Sequence, residues 1–304
     1  SPWGGWQVSL SRSIAYPGFA CHRRSYIYLG LFNISVEHPE YFIDNAYVGS
    51  VYGAPGGIWN GGRNILTSVQ STEDDLRGVA QIYEHFQIPV RFTYTNPLII
   101  GDLVNDPYCN MVLDIYNNGN NEIICNSQEL EDYLRNKYGD RYRYISSTTK
   151  RLQNKEEQDK EFEKDYFLVV IDYDHNFDME YLNSIKDKER CEILVNPVCI
   201  PNCPNRMEHY INIGKCQLDS NTTPMECPFN SIKPYYLVKK QENYISPEDI
   251  NNIYIPAGFT NFKIEGRTAN PLDLTEILLD YLVKEEYRLE ARQQLHQYFL
   301  DQYK

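Results

Sequence analysis

The sequence predicts an α/β protein, a single-domain (β/α)8 barrel of the TIM type spanning residues 1–304. Three observations favour this fold: strand-like runs recur along the chain, helical segments separate them, and almost every run ends in a polar group. The carboxyl ends of parallel strands meet at one rim, where enzymes of this fold place their reactive residues. The rim is therefore the expected location of the functional site.

The strand-like runs are short apolar segments rich in β-branched and aromatic residues. The first is ambiguous between residues 7–15 and 25–34. The other seven are residues 47–52, 89–95, 122–126, 142–146, 167–173, 192–196 and 259–265. Together they supply the eight strands that the predicted fold requires.

The helical segments show apolar residues at helical spacing and recognisable ends. The clearest spans residues 72–86, with Thr72 as N-cap and acidic residues in its first turn. The others are residues 107–116, 128–138, 154–164, 179–186, a helix that Asn270 caps before Pro271, and 287–303.

The composition excludes some classes of function. The formal net charge of −13 makes nucleic acid an unlikely partner, because Lys and Arg supply the affinity for phosphate. No apolar run reaches the roughly 18 residues of a membrane span. The chain starts at Ser1 without a signal-peptide pattern, so a cytoplasmic protein is expected.

Half of the eight cysteines lie between strands 7 and 8, in a predicted long insertion at residues 197–250. They are Cys199, Cys203, Cys216 and Cys227. Thiolates in an irregular segment favour zinc or an iron–sulfur cluster over hard cations, although reduced structural cysteines are the alternative. His209 is either a further ligand or a partner for a neighbouring carboxylate.

Three charged residues alternate along the last strand: Lys263, Glu265 and Arg267. Alternation places their side chains on the same face, which in a packed barrel points inward near the rim. Buried charges are costly unless they pair with one another or with a ligand. They are therefore either catalytic groups that bind substrate or an ion pair that closes the barrel.

Further candidates follow the ends of other strands. A glycine-rich segment after strand 2 carries Trp59, which could stack on a planar substrate or cap the barrel mouth, and Arg63, which could bind an anion. Asn96 and Lys150 are predicted to bind substrate, and Asp172 is predicted to be catalytic.

The run Ala257-Gly258-Phe259-Thr260-Asn261-Phe262-Lys263-Ile264-Glu265-Gly266-Arg267 resembles the AGVDSFKIEGR hallmark of the collagenase-like peptidase family. The segment Cys199-x3-Cys203-x2-Arg206-x3-Tyr210 is similar to the cysteine-rich segment of that family. The likeness covers residues 191–281. The family also contains proteins for oxygen-independent hydroxylation of ubiquinone precursors and RNA. The resemblance implies a barrel and, by likeness to the hydroxylating members, a [4Fe-4S] cluster on four cysteines.

The resemblance therefore implies an enzyme that hydroxylates or hydrolyses a small or peptidic substrate at the rim. Carried over to this chain, the cluster ligands would be Cys199 and Cys203, with Cys216 and Cys227 as candidates for the other two. Zinc is the alternative metal, serving either a hydrolase or a non-catalytic partner subunit. Association into a homo- or hetero-oligomer is a further expectation.

Overall fold

The structure is a computed structural model that describes residues 6–11, 19–53, 55–61, 70–229, 233–266 and 269–301. Its eight strands are parallel and pair in chain order. They are β1 (Trp6–Ser11), β2 (Ala46–Gly53), β3 (Val90–Tyr94), β4 (Glu122–Cys125), β5 (Arg143–Ser146), β6 (Leu168–Val170), β7 (Cys191–Leu194) and β8 (Asn261–Ile264). Strand β1 pairs with both β2 and β8, so every strand has a neighbour on each side.

Eleven helices are found in the described residues. They are α1 (Phe19–Glu37), α2 (Glu73–His85), α3 (Pro107–Ile115), α4 (Gln128–Tyr138), α5 (Lys155–Phe162), α6 (Met179–Ser184), α7 (Arg206–Leu218), α8 (Tyr235–Val238), α9 (Pro247–Asp249), α10 (Pro271–Leu282) and α11 (Arg288–Asp301). Within the described part of the chain, none of them is both long and apolar enough to cross a membrane.

The helix ends follow the capping signals in the sequence. The side chains of Thr72, Ser127 and Asn270 each accept a hydrogen bond from a backbone amide in the first turn of α2, α4 and α10, respectively. Such caps satisfy amides that have no partner inside the helix. The predicted positions of these three helices are confirmed, and α4 has the predicted bounds.

One of the two predicted positions of the first strand, residues 25–34, is wrong. Those residues lie inside α1, and β1 lies in the other predicted segment. Residues 27, 28, 31, 32 and 34 of this helix are all buried. A short apolar run of this kind does not distinguish strand from helix by its periodicity.

The structure also departs from the predicted regular TIM-type (β/α)8 barrel, because the pairing of neighbouring strands differs around the sheet. The seven strands from β2 to β8 pair without a register shift, whereas the pairing of β1 with β2 shifts register between Val8 and Ser9. Only two residue pairs join β5 to β6 and β6 to β7. The helices are uneven too, since α6 has six residues while three helices and a π-helical turn (Ile250–Tyr254) follow β7.

The cysteine-rich segment after β7 is not the irregular loop that its prolines suggest. Helix α7 begins at Arg206 and contains Cys216 in its last turn. Arg206, Tyr210 and Ile213 are buried along one side of it. The proline-rich stretch ends just before this helix, so the turn signals describe only residues 197–205.

Candidate active site

A pocket of about 70 Å³ opens at the carboxyl ends of the strands. Twelve residues line it, from seven strands or the segments that follow them and from α7. They are Tyr52, Thr93, Thr95, Ile124, Ser147, Thr148, Thr149, Tyr173, Leu194, Tyr210, Lys263 and Glu265. Hydroxyl groups dominate this lining, and one cation and one carboxylate lie among them.

Lys263 and Glu265 supply the two charges. Lys263 is the third residue of β8 and Glu265 follows the strand directly, so alternation turns both side chains towards the pocket. Their exposed fractions are only 7% and 6%. The prediction that these two charges share one face at the strand ends is confirmed, while their catalytic role stays a prediction.

The backbone of Glu265 is fixed by the end of the neighbouring strand. Its amide donates to Asn196 Oδ1 at 2.7 Å, and Asn196 Nδ2 donates to the Glu265 carbonyl at 2.7 Å. The carboxylate accepts a hydrogen bond from the Val198 amide at 3.3 Å. These bonds hold Glu265 at the pocket wall with little freedom to rotate away.

Three tyrosines surround the charged pair. Lys263 Nζ lies 3.9 Å from the centroid of the Tyr52 ring, which is the geometry of a cation–π contact. The Tyr52 hydroxyl donates to the Ile264 carbonyl at 3.0 Å. The hydroxyls of Tyr173 and Tyr210, which also line the pocket, are 3.1 Å apart. The pocket is therefore lined by aromatic rings that carry polar hydroxyl groups.

Asp172 lies beside this pocket and takes part in an ion-pair cluster. Arg206 binds Asp172 Oδ1 at 3.2 Å and Asp174 Oδ1 at 2.8 Å. Arg151 approaches the other oxygens of the same two carboxylates at 3.2 and 3.3 Å. Burial raises the pKa of Asp172, which the amide of Asp174 and the charge of Arg151 partly oppose. Both arginines pair with the Asp172 carboxylate. Asp172 therefore stabilises the positions of the segments that carry these arginines.

The metal-ligand candidates do not converge in the structure. Cys199 packs against Tyr173 and Leu194, and the Cys216 thiol faces Asn212 Oδ1 and the Thr222 carbonyl. In the segments that the structure describes, no group of three or more His, Cys, Asp or Glu side chains is placed to hold a metal ion.

Cys203 is buried, whereas Cys227 and His209 are half-buried. The arrangement of these side chains therefore does not fit a four-cysteine cluster. The cluster stays a prediction of the sequence resemblance.

The other predicted site residues lie outside the pocket. Trp59 is fully buried and donates to the Leu103 carbonyl at 2.8 Å. Asn96 Nδ2 donates to the carbonyls of Ile58 and Gly214.

Lys150 pairs with Glu161 at 2.6 Å, away from the pocket lining. The Lys150 ammonium also donates to the Tyr166 hydroxyl at 2.9 Å. Arg63 and Arg267 lie outside the described residues.

Sequence reasoning missed the aromatic part of the site, namely Tyr52, Tyr173 and Tyr210. Tyr52 and Tyr173 lie at the ends of predicted strands, where polar groups indicate a functional site. With 26 tyrosines in the chain, residue type alone does not single out these three. Their convergence depends on the tertiary structure.

The fold and the pocket together define an α/β protein with a polar site at its strand ends. No family model and no curated protein matches the chain. A solved structure of the U32 peptidase Mk0906 is similar to it, with a TM-score of 0.51 and 10% sequence identity. The match covers 86% of this chain and 92% of that one. At this identity the likeness shows a shared fold.

Proposed function

We propose that the protein is an enzyme that hydrolyses an amide bond in a small or peptidic substrate. The observation that carries this proposal is that Lys263 and Glu265 line one pocket at the carboxyl ends of the strands. An ammonium and a carboxylate that are held in a largely buried pocket are the two groups that addition of water to a carbonyl needs. The fold that the chain shares with a U32 peptidase supports the same class of reaction.

In this reaction Glu265 acts as the general base. Its carboxylate accepts a proton from a water molecule while the water oxygen forms a bond to the substrate carbonyl carbon. Lys263 stabilises the negative charge that develops on the carbonyl oxygen. Protonated Glu265 then gives its proton to the leaving nitrogen as the carbon–nitrogen bond breaks. The base is thereby regenerated, and the products are an acid and an amine.

The volume of the pocket limits what enters it. A cavity of about 70 Å³ has room for a reacting amide group or a few water molecules, since a water molecule needs at least roughly 10–15 Å³ of such space. A whole peptide would therefore lie across the opening and insert one polar group. The paired hydroxyls of Tyr173 and Tyr210 are placed to orient that group.

The proposal is tested by incubating the protein with a defined pool of peptides and identifying cleavage products by mass spectrometry. Glu265→Gln and Lys263→Met are each expected to lower the cleavage rate by about 100-fold or more. Glu248→Gln and Lys240→Met change exposed residues of the same types and are expected to leave the rate unchanged. Cleavage that persists at the wild-type rate in both pocket variants would refute the proposal. Binding of peptides without cleavage would instead favour a non-catalytic binding subunit.

A further inference from the structure

A chain of charges, buried except for its half-buried end at Arg143, runs from the Lys263 side of the pocket into the interior that the strands enclose. Glu192, the second residue of β7, is completely buried. Both of its carboxylate oxygens accept from Arg91 Nη1, at 2.6 and 2.8 Å. Arg91 belongs to β3, which does not neighbour β7. This contact therefore crosses the enclosed interior.

The signs of the charges alternate along this chain. Arg91 Nε also binds Glu122 Oε2 at 2.6 Å, and Glu122 Oε1 binds Arg143 Nη2 at 2.7 Å. At the other end, Glu192 Oε2 lies 3.9 Å from Lys263 Nζ. The sequence of charges is thus Arg143, Glu122, Arg91, Glu192 and Lys263. Each buried carboxylate lies between two cations, which offsets the cost of taking it out of water.

Lys263 is the end of this chain that reaches the pocket. Its ammonium lies between the Glu192 carboxylate and the face of the Tyr52 ring, each at 3.9 Å. The Tyr52 hydroxyl is itself tied to the backbone of β8. Burial alone favours the neutral amine, whereas a nearby carboxylate favours the ammonium. The charge of Lys263 therefore depends on the groups that face it.

Those groups come from several elements. Tyr52 faces Lys263 from β2, Glu192 faces it from β7, and Glu265 shares its pocket. Tyr173 and Tyr210 complete the titratable lining. Among these, Glu192 is the carboxylate that is fixed by a buried arginine.

We propose that Glu192, held by Arg91, is a positioning residue that keeps Lys263 charged and directed into the pocket. The inference deepens the proposed function, because it explains how a lysine that is 7% exposed keeps the charge that the reaction needs. The effect on Lys263 can nevertheless be measured without any catalytic assay. A failure of the proposed reaction is therefore distinguishable from a failure of this inference.

The test measures the pKa of Lys263 by NMR on protein whose lysines carry ¹³C-methyl groups. The Lys263 resonance is assigned by its loss in Lys263→Arg. Glu192→Gln is expected to lower the pKa of Lys263 by about one pH unit or more, since an opposite charge at this range has effects of that size. Glu122→Gln is the matched control. It removes a carboxylate that pairs with the same Arg91, whereas the carboxylate that lies beside Lys263 is that of Glu192.

An unchanged Lys263 pKa in Glu192→Gln, or an equal fall in both variants, would overturn the proposal. If Glu192→Gln does not fold, Glu192→Asp serves in its place, because it keeps the charge but withdraws it by one methylene. The proposal then requires a smaller fall in the pKa of Lys263. No change in that variant would overturn it equally.

Discussion

The guanidinium of Arg206 lies over the ring of Tyr173, with its central carbon 4.1 Å from the ring centroid. Tyr173 lines the pocket, and Arg206 is the first residue of α7. The same guanidinium binds Asp172, Asp174 and the Ile200 carbonyl. One buried side chain therefore connects the cysteine-rich segment to the end of β6.

Replacing Arg206 by Met should destabilise the protein strongly. The change leaves two buried carboxylates with fewer cations, and breaking a buried pair in this way costs about 3 kcal/mol or more. Urea unfolding measures the change in the free energy of unfolding. Arg77→Met is the control, because Arg77 pairs with Glu73 on the exposed surface of α2 and its loss should cost less than about 0.5 kcal/mol. Equal losses in the two variants would contradict the role given to Arg206.

Two helical glycines should respond in opposite directions to alanine. A Cβ at Gly214 in α7 would lie 2.5 Å from Asn96 Oδ1, so Gly214→Ala must displace the amide that links α7 to the end of β3. We expect a loss of about 1–3 kcal/mol. A Cβ at Gly78 in α2 meets nothing within 4 Å, so Gly78→Ala should gain about 0.5–1 kcal/mol. Thermal unfolding of both variants measures the difference, and a stabilised Gly214→Ala would contradict the close packing of α7.

The thiols should differ in reactivity towards Ellman's reagent. Burial raises the pKa of Cys109, Cys125 and Cys191, which suppresses the reactive thiolate. Cys227 is half-buried, so it should react early in the native protein. Cys227→Ser is expected to remove one thiol per chain from the fast phase.

A cluster on four cysteines would produce a different pattern of reactivity. Cys199, Cys203, Cys216 and Cys227 would then be protected together, and a chelator would release all four. That result, accompanied by stoichiometric iron and sulfide after anaerobic purification, would contradict the arrangement of these residues in the structure.

Acid stability should depend on Glu161. Burial alone would raise its pKa, but the hydrogen bond and the charge of Lys150 outweigh burial and lower the pKa to about 2 from 4.5. A carboxyl whose pKa is lowered by folding stabilises the protein above pH 4.5, and this stabilisation is lost as the pH falls towards 2. Allowing for screening by solvent, we expect about 1–2 kcal/mol from this group. Glu161→Gln should flatten the dependence of unfolding free energy on pH in this window, and an unchanged slope would contradict the pairing.

Much of the secondary structure follows from local chemistry. Capping residues such as Thr72 and Asn270 and the apolar strand runs act over a few residues, so their positions are readable from sequence. The alternation of Lys263 and Glu265 likewise predicts two charges on one face of a strand. The first strand is ambiguous, because a short apolar run such as residues 25–34 does not distinguish strand from helix by its periodicity.

The rest of the site depends on contacts between distant parts of the chain. Arg91 and Glu192 are 101 residues apart, and nothing local indicates that they meet. The cysteine density predicts a common ligand set, but Cys216 lies in α7 while Cys199 packs against Tyr173 and Leu194. The sequence leaves Trp59 either to stack on a planar substrate or to cap the barrel mouth, and in the structure the indole is fully buried and donates to the Leu103 carbonyl.

The most direct test of the central claim is a double-mutant cycle on kcat/KM for peptide hydrolysis, with Lys263→Met, Glu265→Gln and the combined variant. Residues that act in the same transition state are strongly non-additive. The account predicts that the double variant is about as slow as the slower single variant. Independent effects that multiply, or single variants that retain the wild-type kcat/KM, would contradict the claim that Lys263 and Glu265 act together on one substrate in the strand-end pocket.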